Sequence, residues 1–191
     1  MKKGGFHSDF KTADGRTIVL RPLRRGDLDA MVPFANSFVR ERKKNRELGI
    51  TSLERRMTRA DEKEFLDRTL QDLAKGRRIS VAAFHGGRLV GHCDITGRQS
   101  RDERHTGLLG IVVVEGYRGV GLGEKMIRTA LAQAPKLGMW MIELEVFATN
   151  APAKHLYKKL GFKEVGVIPK KVCRDGRFTD IVRMYTHLPH D

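Results

Sequence analysis

The chain has 191 residues, with 37 Lys and Arg against 23 Asp and Glu, a formal net charge of +14 and 40% hydrophobic residues. That hydrophobic share excludes a disordered basic tail and predicts a folded domain whose partners are anions. No apolar run approaches the roughly 20 residues of a membrane span, so we expect no membrane partner. The two distant cysteines, Cys93 and Cys173, and the lack of a signal-peptide pattern predict reduced thiols and a cytoplasmic location.

The first part of the chain predicts a tail, a strand and a helix. Residues 1–15 are polar and contain glycine, which favours a flexible tail and places a single domain at residues 16–191. Residues 16–23 predict a strand, and Asp27 is placed to cap the helix that follows it.

A basic segment comes next. Residues 40–59 contain eight basic and three acidic residues without clean periodicity. Two interpretations stay open. The segment is either a solvated helix end and loop, or part of a substrate lip that attracts acidic molecules.

The middle of the chain predicts a second helix and an antiparallel pair of strands. Apolar positions from Phe65 to Leu73 form a helical stripe, which Lys75 and Gly76 end. Strands are predicted for residues 78–85 and 88–94, joined by a glycine-rich hairpin turn. The polar loop that follows has Asp102 and His105 but no matched cluster of ligands, so we predict no metal site.

Residues 117–123 (Tyr-Arg-Gly-Val-Gly-Leu-Gly) separate an apolar run from an amphipathic helix. The run, residues 108–114, predicts a strand buried on both faces. Glycines at positions 119, 121 and 123 lack Cβ atoms and permit positive φ, so backbone N–H groups can converge on a ligand oxygen. With the unpaired first N–H groups of the helix, this anion cradle suits a pyrophosphate. The alternative is a turn that carries glycine only because it is tight.

The last part of the chain predicts a strand, a short helix and a closing hairpin. Residues 139–147 form the strand, with Glu143 and Glu145 on one face. Asn150 is placed to cap the helix, whose buried stripe includes Tyr157. The hairpin comprises residues 162–172 and 178–188 and turns at Asp175-Gly176.

Two motifs resemble signatures of the GNAT superfamily of N-acyltransferases. Arg118-x-x-Gly121-x-Gly123 resembles the acyl-CoA signature, and residues 150–162 resemble the second signature, N-x-x-A-x-x-L-Y-x-x-x-G-F. The resemblance covers residues 16–188. It implies the GNAT fold, an α/β (α+β) domain whose mixed, mostly antiparallel sheet has about seven strands and about four flanking helices. This sheet is splayed between its fourth and fifth strands, with the thioester in the gap.

The resemblance also implies an acetyl-CoA-dependent N-acetyltransferase that acts by direct transfer and needs no metal. Tyr157 matches the tyrosine that protonates the departing thiolate, and Asn150 matches an asparagine that contacts the CoA arm in many relatives. Asn150 is equally well explained as a cap. The residues implied to bind acetyl-CoA are Ile111, Val112, Val113, Arg118, Gly119, Val120, Gly121, Leu122, Gly123, Asn150, Ala153 and Tyr157.

The catalytic base and the acceptor rest on partial resemblances. Many relatives carry a carboxylate on the fourth strand, where this chain has Leu108, Leu109 and apolar neighbours. Residues 144–150 resemble the L-E-V-R-A-S-N block of ribosomal-protein N-terminal acetyltransferases, which implies Glu145 as the base, directly or through water, with Phe147 in place of the arginine. The alternative for Glu145 is a sheet carboxylate paired with a nearby Lys or Arg.

Residues 174–184 instead resemble the ending of acetyltransferases for amino-acid-like small molecules. The acceptor is therefore expected to be a primary amine, of a protein N-terminus or of a small molecule, and it could be acidic. Two other functions stay open: a basic nucleic-acid or ribosome-binding module, and an acyl-CoA-binding regulator without turnover. No stacking-aromatic pattern favours the nucleic-acid module. A homodimer is also left open.

Overall fold

The computed structural model describes residues 6–45 and 55–190. This part of the chain forms one sheet and four α-helices, with two short 3-10 helices at Arg25–Asp27 and Pro135–Leu137. The elements are β1 Ser8–Lys11, β2 Thr17–Arg21, α1 Leu28–Lys44, α2 Arg59–Ala74, β3 Arg78–His85, β4 Arg88–Gly97, β5 Thr106–Val113, α3 Leu122–Leu131, β6 Met141–Phe147, α4 Ala151–Lys159, β7 Lys163–Arg174 and β8 Arg177–His187. None of these helices is long and apolar enough to cross a membrane.

The sheet has the strand order β1-β2-β3-β4-β5-β6-β8-β7. Every neighbouring pair is antiparallel except β5 and β6, which are parallel. The predicted mixed, mostly antiparallel sheet with four helices is confirmed. The sheet has eight strands where the sequence predicted about seven.

The additional strand, β1, lies in the segment that was predicted to be a flexible tail. It pairs antiparallel with β2, from Ser8 opposite Leu20 to Lys11 opposite Thr17. Phe10 packs against the main core, and the N–H of Ala13 donates to a carbonyl of the cradle at 3.1 Å. The flexible tail is therefore wrong for these residues. The sequence did not predict this strand because most of its residues are polar. One aromatic contact and backbone pairing with β2 hold it in place.

The splay between β5 and β6 is also confirmed. The two strands pair only from Thr106 opposite Met141 to Leu108 opposite Glu143. Beyond that point β5 stays with β4 and β6 stays with β8. The carboxyl-terminal halves of β5 and β6 therefore separate and leave a gap in the middle of the sheet.

The two faces of the sheet are covered by different helices. On one face α3 buries Met126 and Ile127 in the core that also contains Cys93, Ile95 and Leu109. On the other face α1 and α2 pack on a smaller core, with Leu28, Met31, Leu66, Ala82, Phe84 and Leu89. On this face α1 and α2 leave part of β5 uncovered, since Leu108 is 39% exposed and Gly110 is exposed. The prediction that this strand is buried on both faces is therefore wrong.

Most predicted turns and caps form as expected. Gly86 and Gly87 have φ of 54° and 79°, which the tight hairpin turn between β3 and β4 requires. The side chain of Asn150 accepts the N–H of Ala153 at 3.2 Å and so caps α4. Asp27 does not cap α1. Its carboxylate accepts the N–H of Arg24 at 2.7 Å, within the preceding 3-10 helix.

Candidate active site

The splay between β5 and β6 opens a cleft of about 860 Å³. Its walls come from β5, the cradle, the end of β6 and the start of α4. The cleft brings together most of the predicted site residues: Ile111, Val112, Val113, Arg118, Gly119, Gly121, Gly123, Glu145, Asn150, Ala153 and Tyr157. The other two lie outside its lining. Leu122 is fully buried in the core, and Val120 packs against the core from the side of β1.

The cradle presents a run of unpaired backbone donors. Gly119 and Gly121 have φ of 72° and 83°, and Gly121 is the N-cap of α3. The N–H groups of residues 118–124 donate to no acceptor in the part of the chain that the structure describes. The first paired N–H of the helix is that of Lys125, which donates to Gly121 at 3.1 Å. Such a run, at the positive end of a helix dipole, is an anion-binding arrangement.

Gly123 does not use the positive φ that glycine permits. It lies inside α3 and is not among the residues with positive φ. A Cβ atom at this position would lie 3.5 Å from Leu156 of α4 and 3.8 Å from Ile111 of β5. An added Cβ atom would thus make ordinary van der Waals contacts, so neither close packing nor an unusual backbone conformation requires glycine at this position.

Arg118 lines the cleft, but its guanidinium already has protein partners. Its Nε donates to the carbonyl of Val113 at 2.8 Å, and its Nη2 lies 2.7 Å from Oε2 of Glu41. Glu41 belongs to α1, far away in sequence. No sequence signal marked it, because only the fold brings α1 to the cradle. The pair ties the end of α1 to the cradle side of the cleft.

Tyr157 lies on the buried stripe of α4, as predicted, and faces the cleft. It is 7% exposed, and its ring packs edge-on against Phe162 at 5.8 Å between centroids. Its hydroxyl group makes no hydrogen bond with any residue in the described ranges. Burial, and then the nearby Cys93 thiol, raises the pKa of this hydroxyl group above its usual range. The tyrosine therefore keeps its proton at neutral pH.

Glu145 lines the cleft from β6, and its side chain is 37% exposed. Its Oε1 accepts from Nε of Arg183 on β8 at 2.9 Å. The ion pair that the sequence allowed as the alternative is therefore present. The second oxygen, Oε2, accepts no hydrogen bond within the described part of the chain. Two residues before it, Glu143 pairs in the same way with Arg98 at 2.9 Å.

The cleft also contains residues that sequence reasoning missed. Phe38 of α1 and Asn45, which follows that helix, line it on one side and Gly110 lies on β5, while Thr149, His155 and Lys159 line it near α4. Phe38, Asn45 and Gly110 lie outside the two motifs, and His155 and Lys159 occupy positions that the second signature leaves unspecified. Among the described residues, no three His, Cys, Asp or Glu side chains are grouped so that they could hold a metal ion.

The predicted basic lip is only partly described. Arg42, Lys43 and Lys44 form the last turn of α1, directly after Glu41 and directly before Asn45 of the cleft lining. Residues 46–54 lie outside the described residues. The end of α1 therefore borders the cleft, whereas Arg55 and Arg59 of the same segment pair with Asp61 and Asp29. The role of the lip in attracting an acceptor stays a prediction.

Comparison with known proteins agrees with this geometry. Residues 48–162 match the model of the acetyltransferase (GNAT) family. The chain is 33% identical to the L-amino acid N-acetyltransferase AaaT of Escherichia coli over 54% of its length and 65% of that protein. It is 40% identical to an N-alpha-acetyltransferase of Sulfurisphaera tokodaii over 32% of its length and 37% of that protein. Each match thus spans less than two thirds of the relative.

Solved structures extend the likeness to nearly the whole chain. An acetyltransferase of the GNAT family from Streptococcus pneumoniae superposes with a TM-score of 0.78 and 27% identity. The superposition covers 90% of this chain and 99% of that one. The superposition therefore extends well beyond residues 48–162, which match the family model.

Proposed function

Because the chain belongs to the GNAT family of acetyltransferases, we propose that it transfers the acetyl group of acetyl-CoA to the primary amine of a small, amino-acid-like acceptor. The observation that carries this proposal is the run of unpaired N–H groups at residues 118–124, which opens into the same cleft as Tyr157 and Glu145. A binding module without turnover would need the cradle, but it would not need a buried, protonated tyrosine facing the cleft.

The donor side of the cleft holds acetyl-CoA, which supplies the activated thioester. The N–H groups of residues 118–124 bind the pyrophosphate, because unpaired backbone donors at a helix start favour phosphate oxygens. The separated strand β5 lines the cleft with Ile111 and Val113, alongside which the extended arm lies. Asn150 and Ala153, at the start of α4, face it from the other side.

Two side chains move protons in the reaction. Glu145 accepts a proton from the acceptor's ammonium group through its open Oε2, directly or through water, and leaves a neutral amine. As the new N–C bond forms and the C–S bond breaks, Tyr157 gives its hydroxyl proton to the departing sulfur. The remaining excess proton on nitrogen passes to solvent. Glu145 then releases its proton to solvent and Tyr157 takes one up from solvent, so both side chains return to their starting states and one net proton is released. The products are an N-acetylated amine and free CoA.

The open face beside the cleft supports a small acceptor that carries its own charge. The side chains of Arg98 and Arg183 are 42% and 57% exposed, and each sits beside a carboxylate of β6. An amino-acid-like molecule, with an amine and an acidic group, fits such a surface of alternating charges. The similarity to a protein named an L-amino acid N-acetyltransferase supports the same class.

A thiol-release assay tests the proposal. Purified protein is incubated with acetyl-CoA and a panel of L-amino acids, polyamines and peptides with free N-termini, and released CoA is measured. We expect the largest kcat/KM with an amino acid, and none with the same amino acid blocked at its nitrogen. Turnover with peptides alone would replace the acceptor class with protein N-termini. Binding of acetyl-CoA without release by any amine would contradict the enzymatic function.

A further inference from the structure

Strand β5 lacks a side chain at one point beside the cleft. Gly110 lines the cleft, is exposed, and lies directly opposite Asp94 of β4. A Cβ atom at this position would lie 3.1 Å from Oδ1 of Asp94. The carboxylate of the neighbouring strand therefore stands over the bare backbone of β5. Glycine inside a strand often marks a place where a ligand approaches closely.

The carboxylate of Asp94 is held from one side only. Its Oδ2 accepts from Nη1 of Arg78 and from the hydroxyl group of Thr96, the latter at 3.3 Å. Nε of Arg78 lies 3.8 Å from Oδ2 of Asp72, beyond hydrogen-bond distance. Oδ1, the oxygen over Gly110, accepts no hydrogen bond from the described residues. One oxygen is thus anchored, and the other is free and faces the gap left by the glycine.

Asp94 lies on the face of the sheet that α1 and α2 cover, which we call the acceptor face. Cys93 and Ile95, its neighbours on β4, are buried in the core under α3, so Asp94 projects from the opposite face. Leu144 and Val146 on β6 are buried in the same core, which puts Glu145 on the face of Asp94. Two carboxylates, from β4 and from β6, therefore lie on one face on either side of β5.

We propose that Asp94 binds the ammonium group of the acceptor through Oδ1, in the niche over Gly110. The inference rests on the proposed function and deepens it, because it separates amine recognition by Asp94 from proton removal by Glu145. A charge-assisted hydrogen bond from the ammonium group to a fixed carboxylate is among the stronger polar contacts. The niche is only as wide as a missing side chain, so it takes a primary ammonium group and excludes N-alkylated ones.

A binding experiment tests the niche without catalysis. Propylammonium is titrated into the CoA-saturated protein, and the backbone amide of Gly110 is followed by NMR. We expect a saturable shift in the wild type, and an apparent Kd about tenfold or more higher in Asp94→Asn, because a charged hydrogen-bond acceptor is lost. Asp72→Asn is the matched control, since it removes the other carboxylate of Arg78 and should leave the Kd within about twofold. Trimethylpropylammonium should bind the wild type at least about tenfold more weakly than propylammonium.

A second variant keeps the carboxylate and fills the niche. Gly110→Ala places a methyl group against Oδ1 and should raise the KM of the acceptor about tenfold without changing the KM of acetyl-CoA. Gly166→Ala is its control, because that strand glycine has nothing within 4 Å of an added Cβ atom. An unchanged Kd in Asp94→Asn, or an unchanged acceptor KM in Gly110→Ala, would overturn the role of Asp94. A wild-type protein whose Gly110 signal responds to propylammonium but which acetylates no amine would keep the niche and contradict the proposed function.

Discussion

The proposed donor side of the cleft is formed by backbone groups, and the proposed acceptor side is formed by side chains. The donor side uses backbone N–H groups of one continuous segment, residues 118–124. The proposed acceptor side uses side chains from β4, β6 and β8, namely Asp94, Glu145 and Arg183, of which Glu145 lines the cleft. A site made of backbone needs glycine at fixed spacing, so it leaves a motif in the sequence. A site made of side chains on separate strands becomes visible only when register and splay are known.

The two sides also treat charge differently. The cradle presents partial positive charge without any side chain, and the nearby guanidinium of Arg118 is matched by Glu41. On the acceptor face each of three carboxylates has an arginine partner: Asp94 with Arg78, Glu143 with Arg98 and Glu145 with Arg183. The donor side should therefore be sensitive to any added charge, and the acceptor side to the removal of single partners.

The largest effect should come from adding a negative charge to the cradle. Gly121→Asp places a carboxylate where we propose that the pyrophosphate binds, at a φ of 83° that disfavours any side chain. We expect the affinity for acetyl-CoA to fall about 10³-fold or more, because repulsion replaces backbone donation. Calorimetric titration measures this loss.

Gly138→Asp is the matched control for this change. Gly138 has a φ of 77°, nothing within 4 Å of an added Cβ atom, and a position before β6, at the end of that strand away from the cleft. The Gly138→Asp protein should keep the wild-type affinity for acetyl-CoA. Acetyl-CoA binding by a folded Gly121→Asp protein would remove the cradle from the donor site.

The next effect concerns the general-acid role proposed for Tyr157. Tyr157→Phe keeps the ring and its packing on Phe162 but removes the hydroxyl group. Loss of a general acid should lower kcat by about 10²-fold or more. The Kd of acetyl-CoA should change little, since the cradle is intact. Pre-steady-state kinetics with a good acceptor measures the chemical step, and a rate within about threefold of the wild type would eliminate the acid role.

The difference between the two sides decides how much could be predicted. The order of helices and strands and the cradle followed from apolar periodicity and glycine spacing, whereas the splay was implied by the family resemblance of the two motifs. Strand β1 did not, because its four residues carry one apolar side chain, Phe10, and depend on pairing with β2. The spacing suggested that Gly123 could also take a positive φ, although it lies inside α3 without one.

On the acceptor side, the sequence identified Glu145 but not its partner Arg183. The two are opposite each other across β6 and β8, a register that no local pattern encodes. Asp94 was missed for the same reason, since its relation to Gly110 depends on the pairing of β4 with β5. Roles that depend on cross-strand neighbours require the structure, whereas roles that depend on consecutive residues do not.

A third prediction concerns a buried carboxyl group of α2, on the acceptor face. Glu62 is 6% exposed, and burial, with the charge of Asp61 as a second cause, raises its pKa from 4.5 to about 7. Between these values the folded protein binds more protons than the unfolded chain, so stability falls as pH rises from about 5 to 8. Glu62→Gln, which stays neutral, should be more stable than the wild type at pH 8 by up to about 3 kcal/mol.

Thermal unfolding at pH 5 and pH 8 measures this effect. The stability difference between Glu62→Gln and the wild type should be small at pH 5 and favour the variant at pH 8. Glu64→Gln on the same helix is the control, because its side chain is 74% exposed and should show no such pH dependence. A Glu62→Gln protein that is less stable than the wild type at pH 8 would mean that the ionised carboxylate has a stabilising partner.

The smallest effect should come from the basic lip, where charge acts at a distance and not by contact. Replacing Arg42, Lys43 and Lys44 by Gln should raise the KM of an acidic acceptor about two- to fivefold and flatten its salt dependence, because a basic rim raises encounter rates with anions. The KM of acetyl-CoA should barely move, since its pyrophosphate is held by backbone donors. Replacing Lys163, Lys170 and Lys171 on β7 removes the same charge away from the cleft and should change neither value. If the lip variant kept its acceptor kinetics, these residues would be a solvated helix end, and if it lost affinity for a random oligonucleotide with a smaller salt slope, the excess charge would serve nucleic acid instead.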